Sequence, residues 1–101
     1  MFNLININEQ KATFQLCTDT IIATVPTSTI NIFIEYINRG IIVSLDTIID
    51  ITVLNGIVRI TIGDKWFACD ATTNLPNNVS VSVKLTISEF LDKLREGWLI
   101  V

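Results

Sequence analysis

The chain has 101 residues, half of them apolar, and a formal net charge of −3 at pH 7. This length favours a single domain over residues 1–101 with one modest core, and the apolar content excludes a disordered chain. The acidic balance argues against a nucleic-acid backbone as the main partner, and no apolar run approaches the roughly 20 residues of a membrane-spanning helix.

The first predicted elements are strands. A short strand is expected over residues 2–7, followed by a hairpin over residues 11–25 with a turn near Thr18 and Asp19. Apolar and polar residues alternate in both arms of the hairpin, which indicates strands with one buried face. If the turn is tight, Leu16 lies opposite Ile21.

A helix is predicted over residues 28–38, after the strand that Pro26 ends. Thr27 or Ser28 can cap its start, and Gly40 can end it. Its apolar residues have the spacing of an amphipathic helix: Ile30, Phe33, Ile34 and Ile37. Part of the segment also alternates as a strand would, so the strand alternative stays open.

An antiparallel meander is predicted over residues 41–69. Its four strands are Ile41–Leu45, Ile48–Leu54, Ile57–Ile62 and Lys65–Cys69. Asn55-Gly56 is the strongest short-range hairpin signal, and Gly63-Asp64 suits a type II′ turn. The meander is therefore the part of the fold that the sequence specifies most fully.

The Asn55-Gly56 turn sets the register of its two strands. It places three apolar pairs on one face: Val53 with Val58, Ile51 with Ile60, and Ile49 with Ile62. The opposite face carries Asp50 and Arg59 as diagonal neighbours, which are expected to form an ion pair. A one-residue slip would mix the two faces, so turn and pattern indicate the same register.

The last elements are a loop over residues 71–78, a strand over residues 79–87 and a helix over residues 89–96. Ser88 is the expected cap of this helix, and Gly97 its end. The tail Trp98–Val101 is expected to form an edge strand or a docking segment. Together these elements predict an α+β fold, a mostly antiparallel sheet of five to seven strands with two short helices.

Candidate catalytic and metal-binding residues are few. Histidine is absent, which excludes histidine metal sites and Cys–His nucleophiles, and the two cysteines, Cys17 and Cys69, lack a neighbour that would activate them. The remaining candidates are four aspartates, expected in turns or surface pairs: Asp46, Asp50, Asp64 and Asp70. We therefore expect no metal, no cofactor and no intrinsic hydrolytic or redox catalysis.

Trp66 is the most conspicuous outward residue of the predicted sheet. With Arg59, Lys65 and Lys84 it forms an aromatic and basic group of the kind that can grip single-stranded nucleic acid. The alternative, which we favour, is that a helix or a second subunit covers Trp66, because interfaces are enriched in tryptophan.

Four apolar residues are predicted to point away from the core: Ile22, Ile42, Leu54 and Ile57. This apolar excess and the absence of catalytic motifs lead to a functional hypothesis. We expect a small, self-associating, cytoplasmic, non-enzymatic protein that binds another protein, with Trp66, Arg59, Asp50 and Trp98 on its interaction surface. A short gene that encodes an acidic protein would suit a host-directed factor of a virus or mobile element. The alternatives are a small-ligand or nucleotide-binding enzyme that uses aspartates, and a single-stranded nucleic-acid binder that uses Arg59, Lys65 and Trp66.

Overall fold

The computed structural model describes residues 2–16, 18–39 and 44–100. In chain order its elements are β1 (Phe2–Ile7), β2 (Lys11–Leu16), β3 (Thr18–Pro26), α1 (Thr27–Asn38), β4 (Ile48–Leu54), β5 (Ile57–Ile62), β6 (Lys65–Asp70), β7 (Thr72–Thr73), β8 (Ser80–Thr86) and α2 (Ile87–Ile100). The predicted α+β class with antiparallel pairing is confirmed. The described strands form two four-stranded sheets instead of one.

The first sheet has the strand order β1-β2-β3-β7. Its central hairpin confirms most of the predicted register, but Leu16 lies opposite Thr18 and not opposite Ile21. The register shifts between the Gln15–Ile22 pair and the Leu16–Thr18 pair, so the ladder is irregular there and the regular pairing that a tight turn would give is not kept. The predicted loop also contains β7, which pairs with β3.

Helix α1 confirms the helical alternative for its segment, but its predicted caps are wrong. Pro26 occupies the N-cap position, and no side chain caps the helix. Thr27 lies in the first turn, where its hydroxyl donates a hydrogen bond of 2.7 Å to the carbonyl oxygen of Asn8. This bond fastens the start of the helix to the β1–β2 turn. The predicted stop, Gly40, lies outside the described residues.

The second sheet has the strand order β6-β5-β4-β8. Asn55 and Gly56 both have positive φ, 51° and 75°, as a type I′ turn requires. The three predicted apolar pairs are confirmed: Val53 with Val58, Ile51 with Ile60, and Ile49 with Ile62. The predicted strand at 41–45 is not confirmed, since residues 41–43 lie outside the described part and Leu45 and Asp46 form a turn.

Helix α2 is longer than predicted at both ends. Thr86 caps it instead of Ser88: the Thr86 hydroxyl accepts from the N–H of Glu89 at 3.1 Å, and the Glu89 carboxylate accepts from the N–H of Thr86 at 3.2 Å. The helix continues to Ile100, so the predicted edge strand after Gly97 is wrong. One glycine costs a helix about 1 kcal/mol, which does not by itself end it.

Six aromatic rings connect the two sheets through the helices. The centres of neighbouring rings lie 5.1 to 5.7 Å apart, in the order Phe14, Phe2, Phe90, Phe33, Phe67 and Tyr36. Phe33 of α1 and Phe90 of α2 are fully buried between rings contributed by both sheets. The inner faces of the sheets and the buried sides of the helices therefore share one core.

Candidate interaction site: the outer face of the second sheet

The candidate site is the face of the second sheet that points away from the core, which we call the outer face. The strand registers arrange its side chains in three rows: Trp66, Thr61, Asp50 and Lys84; then Ala68, Arg59, Thr52 and Ser82; then Asp70, Ile57, Leu54 and Ser80. Successive side chains of a strand point to opposite faces of the sheet. Because the apolar pairs of these strands are buried on the core side, the residues between them must lie on the outer face.

Trp66 and Arg59 form a stacked pair on this face. The Arg59 guanidinium carbon lies 4.9 Å from the centre of the Trp66 ring, and the Trp66 side chain is 61% exposed. A cation–π contact at an exposed site contributes about 0.5–1 kcal/mol. The outward position of Trp66 is confirmed, while a helix covering it is not found among the described elements.

Asp50 does not form the predicted ion pair with Arg59. Its Oδ1 accepts hydrogen bonds from the Ser82 hydroxyl at 2.6 Å and from the Thr52 hydroxyl at 3.1 Å. Because Arg59 extends over Trp66 and Ser82 approaches from β8, the carboxylate is satisfied by hydroxyls and not by a cation. Asp50 is thereby held in place at the centre of the face.

The basic residues of this surface are fewer than predicted. Lys84 lies directly across from Asp50 without forming an ion pair with it in the described structure, and its side chain is exposed. Lys65 lies opposite the buried Ile62, and this register puts it on the core side of the sheet and not on the outer face. The part of the chain that the structure describes therefore contributes two cations to the outer face, Arg59 and Lys84.

An open groove of about 550 Å³ runs across the outer face. Asp50, Thr52 and Arg59 supply its polar wall, and Leu54 and Ile57, which are 39% and 40% exposed, supply its apolar wall. The predicted outward positions of Leu54 and Ile57 are confirmed. Two further residues predicted to point outward do not belong to the groove: Ile22 lies half-buried in the first sheet, and Ile42 lies outside the described residues.

The four candidate aspartates are distributed over different parts of the fold. Asp50 lines the outer-face groove, and Asp70 lines a different groove beside the first sheet. Asp46 and Asp64 lie in turns, as predicted. Within the described ranges, no group of three or more acidic or cysteine residues has the geometry of a metal site. Of the two carboxylates on the outer face, Asp50 alone lines the groove, where it acts as a hydrogen-bond acceptor.

Cys69 is half-buried beneath the second sheet, opposite Val58. Burial raises the pKa of its thiol, an effect that a hydrogen bond with Thr29 opposes and the charge of Asp70 reinforces. A raised pKa reduces the thiolate fraction at neutral pH, which is the opposite of what a nucleophile requires. Cys17 lies outside the described residues.

The fourth predicted site residue, Trp98, lies near the end of α2, and its side chain is outside the described part of the structure. The structure therefore brings together Trp66, Arg59 and Asp50. Sequence reasoning missed the two hydroxyls that hold Asp50. The alternation of β8 placed Ser82 on an outward face, but nothing in the sequence specified that β8 pairs with β4.

No protein-family model, no curated protein and no solved structure matches this chain. Neither of the described helices has the length and apolar character needed to cross a membrane.

Proposed function

We propose that this chain is a small non-enzymatic protein that binds another protein through the outer face of its second sheet. The observation that carries the proposal is the exposed Trp66 with Arg59 stacked on it, beside the apolar wall of Leu54 and Ile57. Tryptophan and arginine are among the residue types most enriched at the energetic centres of protein interfaces.

The charge pattern of the outer face supports a protein partner. Arg59 and Lys84 are balanced by Asp50 and Asp70 on the same face, which gives it no net charge. Opposed charges of both signs favour a partner surface with a complementary mixture. A nucleic-acid backbone, in contrast, is bound by several cations that neutralise successive phosphates.

Single-stranded nucleic acid is the second candidate. An aromatic ring on an open antiparallel sheet, with an arginine stacked on it, is a platform on which a base can stack. Among the described residues, Trp66 is the only aromatic side chain on the outer face. Lys65 lies on the core side of the sheet, which leaves few cations on the outer face to bind a nucleic-acid backbone. These two features favour the protein partner.

The cellular setting belongs to the proposal as well. In a cytoplasmic location, Cys69 would stay reduced, in agreement with a half-buried thiol that has no disulfide. The partner would then be a protein of the same compartment, and a host protein if the gene belongs to a virus or mobile element.

The proposal is tested by site-specific photo-crosslinking in cells that express the gene. A photoreactive lysine analogue replaces Lys84 on the outer face, and Lys11 of the first sheet serves as the matched control position, since both lysines are exposed. We expect a product from position 84 that is absent from position 11. The captured protein is then purified and its affinity measured for the unmodified chain and for Trp66→Ala, which should weaken binding by at least about tenfold.

Three outcomes would overturn the proposal. The first is equal products from positions 84 and 11, and the second is a purified partner that binds Trp66→Ala as tightly as the unmodified chain. The third is salt-dependent binding of a labelled oligothymidine that Trp66→Ala abolishes, which would replace the protein partner with nucleic acid.

A further inference from the structure

Strand β6 is an edge of the second sheet, and its outward backbone groups have no partner in the described part of the chain. The two-residue turn at Gly63-Asp64 makes Ile62 and Lys65 the first hydrogen-bonded pair of the β5–β6 hairpin. Bonded and non-bonded pairs alternate from there, so Trp66, Ala68 and Asp70 direct their N–H and C=O groups away from β5. Among the described residues, no backbone or side-chain group bonds to them.

This edge lacks the features that prevent edge-to-edge pairing. Proteins protect exposed edges with prolines, bulges or charged residues, and the centre of β6, residues 66–69, contains none of these. The opposite edge of the sheet, strand β8, differs in two ways. The N–H of Thr86 already donates a hydrogen bond to the Glu89 carboxylate, and Lys84 adds a charge to the strand. Of the two edges, β6 is the one suited to pairing.

Exposed apolar side chains lie on both sides of this edge. Trp66 stands on the outer side, and on the inner side a groove of about 140 Å³ separates β6 from α1. Ile32, which is 57% exposed, and the half-buried Tyr36 and Phe67 line this groove. An added strand directs alternate side chains to the two sides, so it would contact the edge of Trp66 on one side and the α1 groove on the other.

We propose that β6 pairs with β6 of a second copy of this chain. The two strands run antiparallel about a two-fold axis at Ala68, and the two second sheets join into one continuous sheet. This register uses all three outward residues of each strand: Ala68 pairs with its own copy, and Trp66 pairs with Asp70 of the second copy. Such a two-fold, self-complementary contact is the commonest form of protein dimer.

Charge complementarity favours this register over its neighbour. It places no like charges opposite each other, and it brings Asp70 of the second copy next to Trp66, where the Arg59 guanidinium already lies. Arg59 has no carboxylate partner within the described chain, so the dimer would supply one. Moving the axis to Phe67 would instead place Asp64 opposite Asp70 of the second copy.

The dimer goes beyond the proposed function and does not depend on it. Pairing uses the backbone edge of β6 and leaves the outer-face groove of each copy open, so one dimer presents two grooves on one continuous sheet. Two linked sites raise avidity for a partner that is itself repeated.

The test is the molar mass in solution, by light scattering and sedimentation at high micromolar concentration. We expect twice the monomer mass of 11.3 kDa for the unmodified chain. Ala68→Pro removes the N–H at the axis and should give a monomer, because proline is tolerated on an edge strand whose N–H faces solvent. Lys84→Pro on β8 is the matched control at the other edge and should remain dimeric.

A crosslinking experiment covers the case in which Ala68→Pro does not fold. In a background with Cys17→Ser and Cys69→Ser, Ala68→Cys should form a disulfide-linked dimer under mild oxidation, because directly opposite Cα atoms lie about 5.5 Å apart. Ser80→Cys at the β8 edge should stay monomeric under the same conditions. A monomeric unmodified chain, a dimeric Ala68→Pro, or equal crosslinking of the two cysteine variants would overturn the proposal. Loss of the dimer in Ala68→Pro with unchanged partner capture from position 84 would leave the proposed function standing.

Discussion

Replacing Gly56 with valine should destabilise the protein through the backbone and not through a clash. Gly56 has a φ of +75°, and a Cβ at this position would lie 3.6 Å from the carbonyl oxygen of Ala71, an ordinary van der Waals contact. An L side chain in the left-handed region costs about 1–2 kcal/mol, and the β-branch of valine adds to it. Valine also reduces the conformational freedom of the unfolded chain, which stabilises the folded state by about 0.4–1 kcal/mol. The net decrease in the free energy of unfolding is therefore on the order of 1 kcal/mol.

The assay is urea unfolding followed by circular dichroism, with thermal unfolding as a second measurement. A loss of about 1 kcal/mol should lower the midpoint temperature of a domain of this size by about 4–8 °C. Gly56→Asn is the matched control, because asparagine tolerates this conformation, and it should stay within a few tenths of a kcal/mol. Gly63→Val tests the same backbone strain at a φ of +57°, at a position where no atom lies within 4 Å of an added Cβ.

Two results would refute this reasoning. Unchanged stability of Gly56→Val would mean that the turn does not require positive φ. Equal destabilisation by Gly56→Asn and Gly56→Val would mean that the added side chain clashes, so that the backbone is not the cause.

Other predictions follow from the core, the helix cap and the thiol. Phe33→Ala should lower the free energy of unfolding in urea by about 3–5 kcal/mol, because Phe33 is fully buried at the centre of the aromatic cluster. Ile32→Ala, at an exposed position of the same helix, should lower it by less than about 0.5 kcal/mol. Similar losses for the two variants would contradict the packing described above. Thr86→Ala should cost about 1 kcal/mol and Ser88→Ala should cost little, and the reverse order would place the cap at Ser88. Because folding raises the pKa of Cys69, the folded state binds the proton more tightly, and stability relative to Cys69→Ser should fall as the pH rises above the unfolded thiol's pKa. A pH-independent difference between these two proteins would contradict that assignment.

The local pairings could be predicted from the sequence because short-range rules specify them. Asn55-Gly56 allows positive φ at both turn positions, and the alternation of its flanking strands agrees with only one register. The hairpin of β2 and β3 had no glycine in its turn, and there the prediction failed where the chain becomes irregular, at Leu16. A register is therefore predictable where turn chemistry and alternation agree.

The division into two sheets could not be predicted, because it depends on contacts that are distant in sequence. Strand β8 pairs with β4 over at least 25 intervening residues, and β7 returns to β3 of the first sheet. The limits of α2 depended on the same kind of information, since both Thr86 and Ser88 were chemically able to cap it. Tertiary position decided between them.

The candidate site was predictable in part for the same reason. Alternation placed Trp66, Arg59 and Asp50 on one face, and the structure confirms that placement. The pairing among them was wrong because the hydroxyl that binds Asp50 most closely comes from Ser82 on β8, a neighbour that the sequence did not reveal.

The most direct test of the central claim is a map of the binding surface with the purified partner. Backbone amide signals of the isotope-labelled chain are followed by NMR as the partner is added. The account predicts that the perturbed signals cluster on the outer face, around Trp66, Arg59 and Ile57, while Thr13 and Thr24 of the first sheet stay unchanged. Perturbations centred on the first sheet, with Trp66 and Arg59 unaffected, would contradict it.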